Sequence, residues 1–294
     1  MDSNHLNFEE RHIAALFNEM ADEYDQLEDE WYPHLFRQIE KVIRVHFPQG
    51  KGLTALDVGC GTGLQTFLLH VLGYETTGID IAHALIDRAL LKAPRDKAAP
   101  RFVLGSAVNL PFQDNSFDLV SCCGSTLSFI PQYQRALAEM GRVVNRQGHV
   151  IIEVEQRWNL DLIWGFIGSV TGGRLGYEQP LSKAWHDLVC SPKEGILINY
   201  PFTRLDGTVE YLPIRCFTLT EIRQASEAVG LKILKTYGVH SVTNLLPSTW
   251  LGDPQLHPTI RCMAQFLLRI DDKLKGRFPF NRLGCSLIII LQKT

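Results

Sequence analysis

The sequence has no apolar run long enough to cross a bilayer as a helix. Its most apolar stretches, 160–170 (interrupted by Asp161) and 283–291, fall short of the roughly 20 residues a span requires. A basic excess is missing too: 29 Lys and Arg against 32 Asp and Glu give a formal charge of −3, so no global field draws the chain to nucleic acid. The seven cysteines, Cys60, Cys122, Cys123, Cys190, Cys216, Cys262 and Cys285, form no CxxC pair and join no histidine at zinc spacing. They read as reduced thiols, with no metal site expected. The opening MDSNHLNFEERH is polar and acidic where an export leader is basic and then apolar. Together these absences predict a cytoplasmic protein with a small-molecule partner and no nucleic acid. Peripheral membrane contact stays open, and the oligomeric state is not read from the sequence.

What the chain does have is 45% hydrophobic residues over 294 positions, enough for a large core. Ile13, Leu16, Phe17 and Met20, then Leu35, Ile39, Val42 and Ile43, recur at helical spacing and predict N-terminal helices. Short apolar runs then alternate with helical ones: strands at 54–58, 74–79, 101–104, 117–123 and 149–155, helices at 64–72, 82–92 and 132–143. The rhythm breaks over 157–217, where Trp158, Trp164, Tyr177, Trp185, Tyr200 and Phe202 stand among glycines and prolines, and it resumes with a helix at 220–229 and a strand at 231–237. Thr218 or Thr220 would cap that helix and Gly230 end it. A helix at 259–274, with Phe266, Leu267 and Ile270 turned one way, reads chiefly as core packing, the membrane being its other possible support. A last strand lies at 285–292. The pattern predicts an α/β class: a doubly wound Rossmann-like, mostly parallel seven-stranded sheet with helices on both faces. The expected units are an N-terminal helical cover (1–50), a cofactor-binding core (51–156), an inserted substrate cap (157–217) and a C-terminal part of the core (218–294).

Within the core, ALDVGCGTGLQ (55–65) sets Gly59, Gly61 and Gly63 at alternate positions directly after a strand and before a helix. Three glycines in five residues exceed what one tight turn needs and leave room for a ligand against the main chain. In open α/β sheets ligands bind at that carboxyl edge. Asp80 ends the next strand about 20 residues on, where a carboxylate can accept from both hydroxyls of a ribose. The ligand this predicts contains adenosine. A nicotinamide-dependent oxidoreductase would use the same sheet and the same acid, but its fingerprint is G-x-G-x-x-G, whereas the spacing here is G-x-G-x-G. That reading, and a non-catalytic adenosyl-cofactor-binding protein, are the alternatives.

The segment Asp57 to Gly63 resembles the first motif of the class I S-adenosylmethionine-dependent methyltransferases, acid-x-Gly-x-Gly-x-Gly, at every fixed position. Residues 105–120, GSAVNLPFQDNSFDLV, are similar to that family's GDA…LPF.D.SFD.V segment. FNEMADEYD (17–25) is similar to the FD..A..YD entry of the ubiquinone and menaquinone C-methyltransferases and their small-molecule relatives. The resemblance implies S-adenosyl-L-methionine as cofactor, held by Tyr24, Asp57, Gly59, Cys60, Gly61, Gly63, Asp80, Ile81, Ser106, Ala107 and Cys123. Tyr24 would close over the methionyl end and Cys123-Gly124 would lie beneath it. One position departs: the family usually carries an acid where Ser106 stands, accepting from the adenine amino group, which shifts recognition toward the backbone of Ala107. The implied reaction moves a methyl group to an oxygen, nitrogen or carbon of an apolar or aromatic small molecule, a natural product or quinone-like ring. Should the acceptor need a base, Glu155 at the end of the fifth strand, Tyr177 and His186 in the cap, and His240 are the candidates.

Overall fold

The computed structural model describes residues 7–25, 31–95, 99–177, 179–190, 194–204, 206–251, 253 and 255–294. Two helices open the chain, α1 (Phe8–Glu19) and α2 (Tyr32–His46). Asn7 starts α1 with a reciprocal capping box: its side chain accepts from Glu10 N while the Glu10 carboxylate accepts from Asn7 N. Strand and helix then alternate: β1 (Thr54–Val58), α3 (Leu64–Val71), β2 (Glu75–Asp80), α4 (His83–Lys92), β3 (Arg101–Leu104), β4 (Phe117–Cys122), α5 (Tyr133–Val143) and β5 (Val144–Glu155). The segment expected as a cap holds α6 (Asp161–Val170), α7 (Leu181–Val189) and an antiparallel hairpin of β6 (Ile196–Thr203) and β7 (Val209–Cys216). The chain ends through α8 (Leu219–Glu227), β8 (Leu231–Val239), α9 (Ser248–Leu251), α10 (Pro258–Leu274) and β9 (Ser286–Lys293).

Seven strands form one sheet in the order β3-β2-β1-β4-β5-β9-β8, parallel except for β9, which runs against both neighbours. This is the doubly wound sheet the rhythm predicted. Both faces are covered. On one, Leu35, Ile39 and Ile43 of α2 pack with Leu69, Ile151, Ile288 and Ile290; on the other, Leu137, Met140 and Ile222 of α5 and α8 meet Val150, Ile152 and Ile289. Each such side chain, fully buried, contributes about 1.5–3 kcal/mol relative to an exposed one. Strand order reverses between β1 and β4, which places the loops after those two strands together at the sheet's carboxyl edge.

Two details differ from the sequence expectation, and a third decides between its alternatives. Strand β5 begins at Val144 rather than 149, because Val144 pairs with Phe117 across a register shift despite the polar Asn145-Arg146-Gln147 that follows. Thr218, not Thr220, caps α8, accepting from Glu221 N at 3.1 Å. On α10 the buried stripe is Ala264, Leu268 and Asp271, with Phe266 61% exposed and so outside the packing. Among the described residues no helix is long and apolar enough to cross a membrane.

Candidate cofactor and acceptor site

The β1–α3 loop is fastened to β2 by its own backbone. Gly59 N and Cys60 N both donate to Ile79 O, at 2.8 and 3.0 Å, and Gly61 N donates to Asp80 Oδ2 at 2.8 Å. Gly59 and Gly61 have φ of +69° and +52°, conformations that L side chains rarely adopt. A Cβ on Gly59 would fall 2.2 Å from Thr126 of the β4 loop, and one on Gly61 would touch the Tyr24 ring at 3.4 Å. Asp80, only 8% exposed, also accepts from Ala82 N through Oδ1 at 2.8 Å. Two backbone donors thus orient the carboxylate and leave about two of its four lone-pair sites for a ligand. Burial raises its pKa, and the backbone bonds oppose that rise.

Above this loop lies a cavity of about 740 Å³, including its open mouth. Of the residues singled out in the sequence, Tyr24, Gly59, Asp80, Ile81, Ser106 and Ala107 line it. Asp57 stands behind the loop, accepting from Thr66 Oγ1 at 2.7 Å, its pKa pushed up to about 6 by burial. The Cys60 side chain lies against Gly78 of β2, Gly63 forms the left-handed start of α3, and Cys123 is buried with its carbonyl accepting from Thr126 Oγ1 at 3.0 Å. These four support the cavity from outside its wall. Burial raises the Cys123 and Cys60 thiols far above their ordinary range, so neither is an activated nucleophile.

Helix α1 roofs the cavity. Phe17 stacks edge-on against Phe129 (5.6 Å between centroids), Phe202 of the hairpin (5.8 Å) and Tyr24 (6.3 Å). The helix is tied to α4 by Asn18, which accepts from Ala84 N at 2.9 Å, and to the hairpin by Arg204, which bridges Glu19 at 2.8 Å and Glu210 at 3.0 Å. Of these lining groups, Phe17 opens the FNEMADEYD segment, whereas Glu10 of α1 and Thr126 and Phe129 after β4 carry no sequence motif that marks them, and the structure alone brings them to Asp80.

Beyond Gly124 and Thr126 the polar groups change character. Ser125, between them, donates from its hydroxyl to Glu155 Oε1 at 2.7 Å and from its backbone N–H to Glu153 Oε2 at 2.6 Å. Part of Glu155 is solvent-accessible, yet protein encloses its carboxyl, and burial, followed by the adjacent Glu153, pushes its pKa up to about 8. Tyr32 of α2 and Tyr200 of β6 share a short hydroxyl–hydroxyl hydrogen bond near Glu155, and burial raises the Tyr32 pKa. The other base candidates lie elsewhere. Tyr177 donates to Asp161 and meets Ser248, and His186 sits beside Asp187 on the exposed side of α7. His240 is buried, stacked on Trp31 at 3.9 Å and beside His34 at 4.9 Å, its pKa pushed far down by burial. Among the described residues no group of His, Cys, Asp and Glu is arranged to hold a metal ion.

Glu155 also makes stability depend on pH. The unfolded carboxyl releases its proton near its ordinary value of 4.5, while the folded one holds it until about 8. Between those values the folded state binds more protons, so stability falls as pH rises and levels off above about 8. Thermal unfolding across pH 4–9 is expected to show that fall, and Glu155→Gln is expected to lessen it, chiefly above about pH 6, because Asp57, Asp80 and Glu153 also hold their protons longer in the fold; equal slopes in both proteins would contradict the assignment.

Comparison with known proteins bears on the domain and fold that carry this site. Residues 56–152 match the family model of a methyltransferase domain. The demethylmenaquinone methyltransferase of Staphylococcus aureus (strain MRSA252) is 35% identical over 158 residues, 51% of this chain and 62% of the relative. The match thus spans less than two thirds of that relative's length. Among solved structures, an S-adenosylmethionine-dependent methyltransferase from Mesorhizobium loti aligns with a TM-score of 0.51 at 14% identity, covering 86% of this chain and 96% of the other. The [4+2]-cyclase SpnF aligns with a TM-score of 0.52 at 16% identity, covering 87% and 80%. At these identities the structures share the fold alone, and a cyclase among them means that the fold does not by itself fix the reaction.

Proposed function

We propose that the protein, whose residues 56–152 match a methyltransferase domain, is a class I S-adenosylmethionine-dependent methyltransferase that transfers a methyl group to an apolar or aromatic small molecule, with a quinone-like ring as the leading class. The observation that carries this is the cavity over Gly59 and Asp80, whose wall includes Gly124 and Thr126; Ser125, between those two in the chain, donates to the enclosed Glu155 carboxyl. The cavity beside Gly59 and Tyr24 and the spare lone pairs of Asp80 fit an adenosyl cofactor. When bound, S-adenosylmethionine supplies an electrophilic methyl on a sulfonium whose leaving thioether needs no proton.

The protein's own work is then placement and proton removal. Phe17, Phe129 and Phe202 form an apolar layer against which a flat ring can lie, and orientation of this kind supplies much of the rate in an in-line displacement. Glu155, with a pKa near 8, is matched to take the proton that a hydroxyl-bearing acceptor loses. The Tyr32–Tyr200 pair beside it offers hydroxyls to hold a polar ring substituent. Residues 157–217, in this reading, are the substrate cap. The relative acting on demethylmenaquinone supports the quinone-like class.

Isothermal titration with S-adenosylhomocysteine, alongside NAD(H), tests the cofactor reading. Saturable binding of the former alone is expected, and Asp80→Ala should weaken it at least about tenfold, the scale of a lost charged acceptor. Binding of NAD(H) alone would overturn the reading and make hydride transfer the leading one.

A further inference from the structure

At Ser106 the chain departs from the methyltransferase pattern at the cavity wall, and the structure shows what stands there instead. The Ser106 hydroxyl donates its single proton to Glu10 Oε1, and its oxygen accepts from Val108 N at 3.2 Å. Glu10 comes from α1, far away in sequence, yet its side chain lines the same cavity wall as Ile81, Ser106 and Ala107. Its other oxygen accepts from Asn7 N at 3.0 Å, so the capping box that starts α1 also fixes the direction of this carboxylate. Among the described residues no cation is paired with Glu10. A carboxylate offers about four acceptor positions, of which two are used here.

We propose that Glu10 supplies the carboxylate that accepts from the 6-amino group of the adenine, replacing from the roof helix the acid that position 106 lacks. This rests on the methyltransferase reading of the cavity. Ser106 then serves as a positioning residue: its proton holds Glu10 toward the pocket, where a neutral serine alone would make a weaker acceptor. The same contact couples adenine recognition to α1, so a ligand lacking the amino group should be held less well by the roof.

The test compares S-adenosylhomocysteine with S-inosylhomocysteine, in which a carbonyl replaces the amino group, by calorimetric titration. Glu10→Gln is the informative variant: the single amide oxygen can still accept from Asn7 N and keep the capping box, while the NH2 that replaces Oε1 can only donate to Ser106 Oγ, so the carboxylate acceptor is removed without loss of the helix start. The wild type is expected to prefer the adenosyl ligand by about tenfold or more, the scale of a charge-assisted hydrogen bond. In Glu10→Gln that preference should collapse, mainly through weaker adenosyl binding. Adding Ser106→Asp to Glu10→Gln should restore it, since the acid returns to the sheet edge. Unchanged preference in Glu10→Gln would overturn the proposal while leaving the cofactor reading intact, whereas a wild type that binds neither ligand would overturn both.

Discussion

Gly61→Val is expected to lower affinity for S-adenosylhomocysteine by at least about a hundredfold. Two costs add. A β-branched residue at a φ of +52° is strained by about 1–2 kcal/mol. Its methyls would also enter the gap between the loop and the Tyr24 ring, where a Cβ alone already makes contact at 3.4 Å, and overpacking of this kind costs about 1–3 kcal/mol. Gly61→Ala should fall between wild type and valine, because it adds the strain and only one atom. Calorimetry reads the affinities, and a thermal melt of each apo variant separates lost binding from lost fold. A valine variant that folds and binds like wild type would place the ligand elsewhere.

Glu155→Gln should reduce turnover of a protic aromatic probe such as 1,4-dihydroxynaphthalene by about a hundredfold or more, the usual range for a lost general base. The wild-type rate should rise with pH and level off above about 8, as the carboxyl ionises. In the variant that inflection should vanish. Binding of S-adenosylhomocysteine should be unaffected, since Glu155 bonds Ser125 rather than the glycine loop. An unaltered pH profile in the variant would assign the proton transfer to another group.

The parts of this site that were legible in the sequence are local ones. The glycine loop and Asp80 lie within one strand–helix–strand unit, where periodicity and turn chemistry act over a few residues. The hairpin escaped because Pro201 and Pro213 interrupt it; a two-stranded ribbon tolerates them, having an open edge on each strand. The early start of β5 escaped because Asn145, Arg146 and Gln147 read as a loop. Glu10, Tyr32 and Tyr200 escaped for a different reason. Their roles come from long-range packing of α1, α2 and the hairpin over the sheet edge, and no spacing rule joins residues 10 and 106 or 32 and 200.

The ties that hold α1 have a kinetic side. The Arg204 bridge and the neighbouring His12–Glu210 pair (2.8 Å) are partly exposed, and each such link is worth only about 0–1 kcal/mol. The ring layer around Phe17 is the stronger hold, and it touches Tyr24, whose ring lies against Gly61 of the glycine loop, and the hairpin's Phe202 at once. Under the proposed function, loosening of this one helix is expected to release the packing over the cofactor cavity and against the hairpin together.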